Sequence, residues 1–164
     1  MRTGEARRIA FGGMMAALAV VIMCLGGLIP VATFTVPVIA MLILAYVLKL
    51  CGRRIGWAWY GAVSILGLLL GPDKEAAAIF LFLGFYPILK PKLDRMKLGL
   101  LLKVLLFNGM ILLMYGMLIY LLGMHEIARE YSELGRIMTI FMLVGGNAVF
   151  FLLDKALRRF QKIK

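Results

Sequence analysis

The sequence has few acidic residues, one histidine, two cysteines and little proline. Among its 164 residues are 8 Asp and Glu and only five Pro. Metal sites and disulfide frameworks depend on clustered Cys and His side chains, so this composition argues against both. Cys24 and Cys51 show no C-x-x-C spacing. We therefore predict no metal ligand, no cofactor and no disulfide.

The sequence also lacks two motifs, one typical of zinc proteases and one typical of ATP-binding proteins. His125-Glu126 resembles the start of an H-E-x-x-H zinc site, but Arg129 stands where the second His would be. No G-x-x-x-x-G-K-[ST] segment occurs, so the chain does not bind ATP in the P-loop manner, and energy would come from a partner or a gradient. Acidic pairs without His, Cys or metal spacing carry no catalytic signature. We predict no catalytic residue and no enzyme activity, and a small membrane enzyme is the weakest alternative.

Apolar residues dominate what is present. They make up 63% of the chain, and the mean hydropathy is +0.98. A soluble domain is about half apolar and carries charge along every element, whereas here the charges are clumped between apolar runs. Each membrane-crossing helix needs about 20 such residues. The net charge of +11 then reflects short loops facing anionic membrane lipid, not nucleic-acid binding.

The apolar runs predict an all-α polytopic membrane protein with six transmembrane helices in one domain spanning residues 1–164. The predicted helices cover residues 8–29, 31–50, 55–70, 76–89, 98–122 and 136–157.

Positive charge lies on alternate gaps between these helices. All but three of the 19 Lys and Arg residues lie at the termini or near residues 50 and 93, and Lys74, Arg129 and Arg136 share their gaps with most of the acids. Basic loops stay in the cytoplasm during insertion, so both termini are predicted to be cytoplasmic in a multi-pass protein of the cell membrane. Trp57 and Trp59 follow a basic gap and are predicted to lie at the membrane interface.

The third and fourth helices are predicted to be short. Between Arg54 and Lys90 the chain leaves about 15 residues for each, or about 22 Å, against a hydrocarbon core of about 30 Å. The turn carrying Asp73 and Glu75 would then lie below the outer surface, where charged residues line a cavity or a site. Alternatively, the bilayer thins locally, Lys74 reaches its surface, and the acids only start a helix.

Few polar side chains occur deep in the later helices. Asn108 and Asn147 fall at matching depths on neighbouring antiparallel helices, as do Lys103 and Asp154. Both pairs fit interhelical hydrogen bonds, and the two Asn alternatively line a substrate cavity. Tyr115, in the outer half of the fifth helix, is a further candidate for binding substrate.

The first helix carries two stripes of small residues. Ala10, Gly13 and Ala17 share one face, and Gly12, Ala16 and Ala19 share its neighbour. Small residues let membrane helices approach closely. The first stripe therefore packs inside the bundle or contacts another subunit.

These features resemble the substrate-binding S component of energy-coupling factor (ECF) vitamin transporters: six helices, both termini inside, a basic N-terminus and the Ala10/Gly13/Ala17 stripe. In that family such a stripe contacts a transmembrane coupling subunit, and two ATPases supply the energy. The resemblance implies a small-molecule pocket in the outer half. By position it involves residues 73–75, Tyr115, Asn147 and the loop 123–135.

The resemblance leads us to expect a protein that captures a small polar, vitamin-like molecule from outside the cell. No signature for riboflavin, thiamine, biotin or folate is present, so the substrate stays open. The alternative is a non-catalytic membrane scaffold, similar in size and number of spans to the rod-shape protein MreD, which binds partners and no ligand.

Overall fold

The computed structural model describes residues 2–29, 32–120 and 135–162. Every regular element in these ranges is an α-helix, which confirms the predicted all-α class. The helices are α1 (Arg2–Gly26), α2 (Thr35–Cys51), α3 (Arg53–Leu70), α4 (Lys74–Leu83), α5 (Tyr86–Leu93), α6 (Gly99–Tyr120) and α7 (Gly135–Lys162).

Three stretches of the described chain have the length and composition of membrane-crossing segments. Three stretches are long and apolar enough to cross a bilayer, namely Gly4–Gly26, Lys74–Leu93 and Gly99–Met117. Large apolar side chains also point outward, including Leu112 at 79% exposure and Leu69 at 71%. Contiguous exposed apolar surface is typical of proteins that face lipid. The count of six spans and the orientation of the termini stay predictions.

The core lies around α2. This helix contacts α1, α3, α4, α5 and α7. Its buried side chains recur every three or four residues, which places them on one stripe of the helix. The stripe consists of Val36, Ala40, Leu44, Val47 and Cys51.

Trp59 belongs to this interior. Its side chain is only 3% exposed, and its ring packs edge-on against Phe80, with the centroids 6.2 Å apart. Trp57 is 42% exposed. The prediction that both tryptophans lie at the membrane interface is therefore wrong for Trp59, because the inward face of α3 carries it into the protein.

The fourth predicted helix, residues 76–89, is wrong as a single unit. The chain forms α4 up to Leu83 and starts α5 at Tyr86. Pro87 accounts for the break, since it has no N–H to donate to the preceding turn and is favoured in the first turn of a helix. Gly84 occupies the junction, where a Cβ atom would lie 2.3 Å from the carbonyl oxygen of Phe80.

The position of Lys90 shows that the helical stretch after Asp73 continues beyond its predicted end. It lies within α5 and is fully buried, so it does not mark the beginning of a loop. The 18 residues of α3 extend about 27 Å, and the 20-residue stretch Lys74–Leu93 contains α4, the junction and α5. α3 is thus longer than predicted, and the depth of Asp73 and Glu75 below the outer surface stays a prediction.

The antiparallel helices bring polar residues to two opposite ends of the bundle. At one, the Asp73 end, the α3–α4 turn meets Thr33 and the later part of α6. At the other, the Asp94 end, the α5–α6 turn meets α7.

Candidate functional site

Lys74 at the Asp73 end completes the end of α3. Its Nζ donates to the carbonyl oxygens of Leu68 at 2.8 Å and Gly71 at 2.9 Å. The last carbonyls of a helix lack partners within the helix, and a lysine there also meets the negative end of the helix dipole. Lys74 therefore caps the C-terminal end of α3 with its side chain.

Asp73 starts the next helix and links it to the α1–α2 connection. Its Oδ1 accepts a hydrogen bond from the backbone N–H of Ala76 at 3.0 Å, as an N-cap residue does. Its Oδ2 accepts from the Thr33 hydroxyl at 2.7 Å. The alternative that Asp73 serves as a helix-start residue thus has direct geometric support.

Glu75 and Tyr115 join α4 to α6. The Tyr115 hydroxyl donates to Glu75 Oε1 at 2.7 Å, and both side chains are partly buried. Together with Asp73 and Thr33, they form a group that we call the outer polar cluster, after the side of the membrane that the sequence predicts for it. It unites three elements that are distant in the sequence, and it contains three of the five predicted substrate-binding residues.

Asn108 and Asn147 form a second, separate contact between α6 and α7. Their amides exchange reciprocal hydrogen bonds of 3.1 and 3.2 Å, and Asn108 Nδ2 also donates to the carbonyl of Val104 at 2.9 Å. The predicted pairing at equal depth is confirmed. Seven residues of helix, about 10 Å, separate Asn108 from Tyr115, so the five predicted residues form two separate groups of contacts.

A buried ionic cluster lies at the Asp94 end. Lys103 and Asp154 were predicted to pair, and their atoms Nζ and Oδ1 are 3.1 Å apart. The structure adds four residues that the sequence had not associated with them. The full ionic cluster is Tyr86, Lys90, Asp94, Lys103, Asp154 and Arg158.

Each carboxylate of the ionic cluster has several donors. Asp154 Oδ1 accepts from Tyr86, Lys90 and Lys103, and its Oδ2 lies 3.3 Å from Nε of Arg158. Asp94 Oδ2 lies 3.1 Å from Lys90 Nζ, and its Oδ1 accepts from Lys103. Three cations thus surround two carboxylates, and the charges of three helices compensate one another within the protein.

Asp94, beyond the end of α5, has an altered pKa. Partial burial alone would raise the pKa of this carboxyl. Hydrogen bonds from Lys103 and Lys90, together with their positive charges, outweigh that effect and hold the pKa below its usual range. Asp94 therefore stays ionised in the folded protein at neutral pH.

The missing members of the ionic cluster have a sequence signal. Tyr86, Lys90 and Asp94 are spaced four residues apart, as are Asp154 and Arg158. This spacing places side chains on one helix face. The spacing alone does not reveal the cluster, because the predicted fourth helix ends before Lys90.

The two small-residue stripes of α1 have different surroundings. Gly12 is buried, and a Cβ atom there would lie 3.2 Å from the Ile55 side chain of α3. Ala10, Gly13 and Ala17 are exposed, and a Cβ atom on Gly13 would meet nothing within 4 Å. The stripe that packs inside the bundle is therefore the one that includes Gly12.

Comparison with known proteins adds no assignment. No family model matches the chain, and neither the curated proteins nor the solved structures give a match. The likeness to S components stays a prediction from the sequence. Most of the loop 123–135, which it implicates in substrate binding, lies outside the described residues.

Proposed function

We propose that the chain is the substrate-capture subunit of an ECF-type uptake transporter, with both termini in the cytoplasm and the Asp73 end facing outward. The observation that carries the proposal is the outer polar cluster. Thr33–Asp73 and Tyr115–Glu75 converge from the α1–α2 connection, the α3–α4 turn and α6. Binding sites in apolar proteins depend on such a small number of convergent polar groups.

The chemistry of this cluster favours a polar or zwitterionic ligand with a protonated amine. Glu75 and Asp73 contribute carboxylates, and Tyr115 and Thr33 contribute hydroxyls. Lys74 is directed to backbone carbonyls, so it does not compete for the same carboxylates. A ligand ammonium group would donate a charge-assisted hydrogen bond to the Glu75 carboxylate and replace the hydrogen bond from Tyr115.

The exposed face of α1 supports a second part of the proposal, namely a transmembrane coupling subunit that docks on Ala10, Gly13 and Ala17. These small side chains allow close approach of another helix. A pair of partner ATPases would supply the energy, because this chain has no P-loop sequence.

The proposal can be tested with Glu75→Gln and Tyr115→Phe. Native mass spectrometry of the purified wild-type protein should show a retained small molecule, and both variants should lose most of it. Glu5→Gln is the matched control, since Glu5 is exposed on α1 near the opposite end. Retention by Glu75→Gln at the wild-type level, in a folded protein, would contradict the proposed site.

A membrane scaffold is the second candidate, and one observation favours it. Within the outer polar cluster, Thr33 bonds to Asp73 and Tyr115 to Glu75, and Asn108 bonds to Asn147. Such internal hydrogen bonds are also expected in a protein that binds no ligand. A scaffold would copurify with membrane partners and retain no small molecule. Copurification with an ATPase pair would favour the transporter subunit.

A further inference from the structure

A groove lies between the beginning of α1 and the end of α2, at the end of the bundle opposite the outer polar cluster. It encloses about 460 Å³. Its lining combines cationic and apolar side chains, namely Arg7, Arg8, Phe11, Met14, Leu50 and Cys51. We call it the basic groove.

The base of the basic groove is held together by α1–α2 contacts. The thiol of buried Cys51 donates to the carbonyl oxygen of Arg8 at 3.4 Å. The ring of Phe11 meets Tyr46 edge-on, with the centroids 6.0 Å apart. The two helices are thus fixed relative to each other where the groove opens, and its shape does not depend on a loop.

The rim of the groove carries uncompensated positive charge. Arg7 and Arg8 are exposed, and within the described part of the chain neither forms an ion pair. Arg53 and Arg54 begin α3 after Gly52, and the acid nearest to Arg7 and Arg8 in the sequence is Glu5. Guanidinium groups bind phosphate through paired N–H donors, so the charge of this rim is complementary to a phosphate group.

An apolar track leaves the groove along α1. Residues 7, 11, 14, 18, 21 and 25 follow the helical spacing of three and four, so they share one face. Met14 is 64% exposed, Leu18 45%, Val21 52% and Leu25 58%. This face begins at the arginines and extends over about 27 Å of helix, within the membrane-crossing stretch Gly4–Gly26.

We propose that the basic groove binds one anionic phospholipid. Its phosphate lies against Arg7 and Arg8, and an acyl chain follows Phe11, Met14 and the track beyond. The groove lies where an apolar helix reaches its charged end, which is the height of lipid headgroups in a bilayer. This site does not depend on the proposed transport function, although its apolar track adjoins the Ala10/Gly13/Ala17 stripe, since Met14 follows Ala10 by four residues and Val21 follows Ala17 by four.

The experiment is native mass spectrometry of the full chain in a neutral detergent, titrated with phosphatidylglycerol or phosphatidylcholine. Arg7→Gln/Arg8→Gln is compared with Lys155→Gln/Arg159→Gln, an exposed pair that makes the same change of charge outside the groove. We expect one phosphatidylglycerol to bind at least about tenfold more tightly than phosphatidylcholine, and the groove variant to lose that preference. The control pair should keep it. Circular dichroism establishes that each variant is folded.

Three outcomes would overturn the proposal. Equal binding of the two lipids would remove the charge selectivity, and an equal loss in the control pair would show diffuse attraction instead of a site. The third concerns free phosphate. If inorganic phosphate or glycerol phosphate stabilises the protein against heat as strongly as phosphatidylglycerol does, the ligand is a soluble anion. Met14→Gln provides an independent check, because it should weaken phospholipid binding without changing the charge.

Discussion

Lys90 links α5 to Asp154 of α7 through the ionic cluster. Its ammonium group is fully buried between Asp94 and Asp154. Bringing such charges together costs desolvation energy, which the cluster offsets with direct hydrogen bonds. Removal of one partner leaves the other charges buried without compensation.

We expect Lys90→Met to destabilise the protein by about 3–5 kcal/mol, because it leaves Asp154 with fewer donors inside the protein. Denaturant unfolding in detergent micelles, followed by circular dichroism, measures the change. Lys92→Met is the matched control, since Lys92 lies on the same helix but is exposed. A similar loss of stability in both variants would mean that the ionic cluster is not the cause.

The lowered pKa of Asp94 predicts how the stability of the protein depends on pH. Its pKa is lowered in the folded state by Lys103 and Lys90, against the raising effect of burial. Its contribution is therefore complete above the unfolded-state pKa of about 3.9 and is lost as the pH falls through the lower folded-state value. The unfolding temperature should decrease below about pH 4, and Asp94→Asn should show a smaller decrease. An unchanged pH profile in the variant would contradict this role.

At the scale of helices, Asn108 and Asn147 test how α6 pairs with α7. Their reciprocal hydrogen bonds predict a coupling energy of about 1 kcal/mol in a double-mutant cycle of Asn108→Ala and Asn147→Ala. Unfolding of the two single variants and the double variant measures it. Strictly additive effects would show that the pair contributes nothing beyond its separate contacts.

The helices also show what the sequence can and cannot predict. Long apolar runs placed α1, α3 and α6 within a few residues of their observed ends, apart from the start of α1, because apolar length is visible in the sequence itself. The division between α4 and α5 was missed even though Pro87 was visible. The predicted end of the fourth helix is wrong because it treats Lys90 as the start of a loop. A lysine can be buried within a helix when carboxylates reach it, as Asp94 and Asp154 do here. Such tertiary compensation is not encoded in any local window.

The contacts of the candidate site were likewise predicted only in part from the sequence. Equal depth on adjacent helices sufficed for Asn108 with Asn147 and for Lys103 with Asp154. The Tyr115–Glu75 and Thr33–Asp73 contacts require knowledge of how the α3–α4 turn sits against α6 and the α1–α2 connection. That arrangement arises from packing around α2, which periodicity alone does not specify.

At the scale of the whole molecule, α1 presents different faces to different surroundings. Gly12 faces α3, whereas Gly13 faces outward. We expect Gly12→Leu to destabilise the bundle, because the larger side chain must displace Ile55; overpacking of this kind costs about 1–3 kcal/mol. Gly13→Leu should leave the unfolding temperature nearly unchanged and abolish copurification with a coupling subunit. Normal copurification of a folded Gly13→Leu protein would remove the stripe as a docking surface.

The ionic cluster also sets a condition on how the chain is made. Lys90 and Asp154 are separated by 64 positions. At about 5–20 residues per second, the ribosome needs roughly 3–13 s to reach Asp154 after Lys90 has been synthesised. During that interval a nascent helix carries a cation whose final counterion does not yet exist. Asp94, which also contacts Lys90 in the folded protein, emerges four residues after it and can neutralise this charge before α7 has been synthesised.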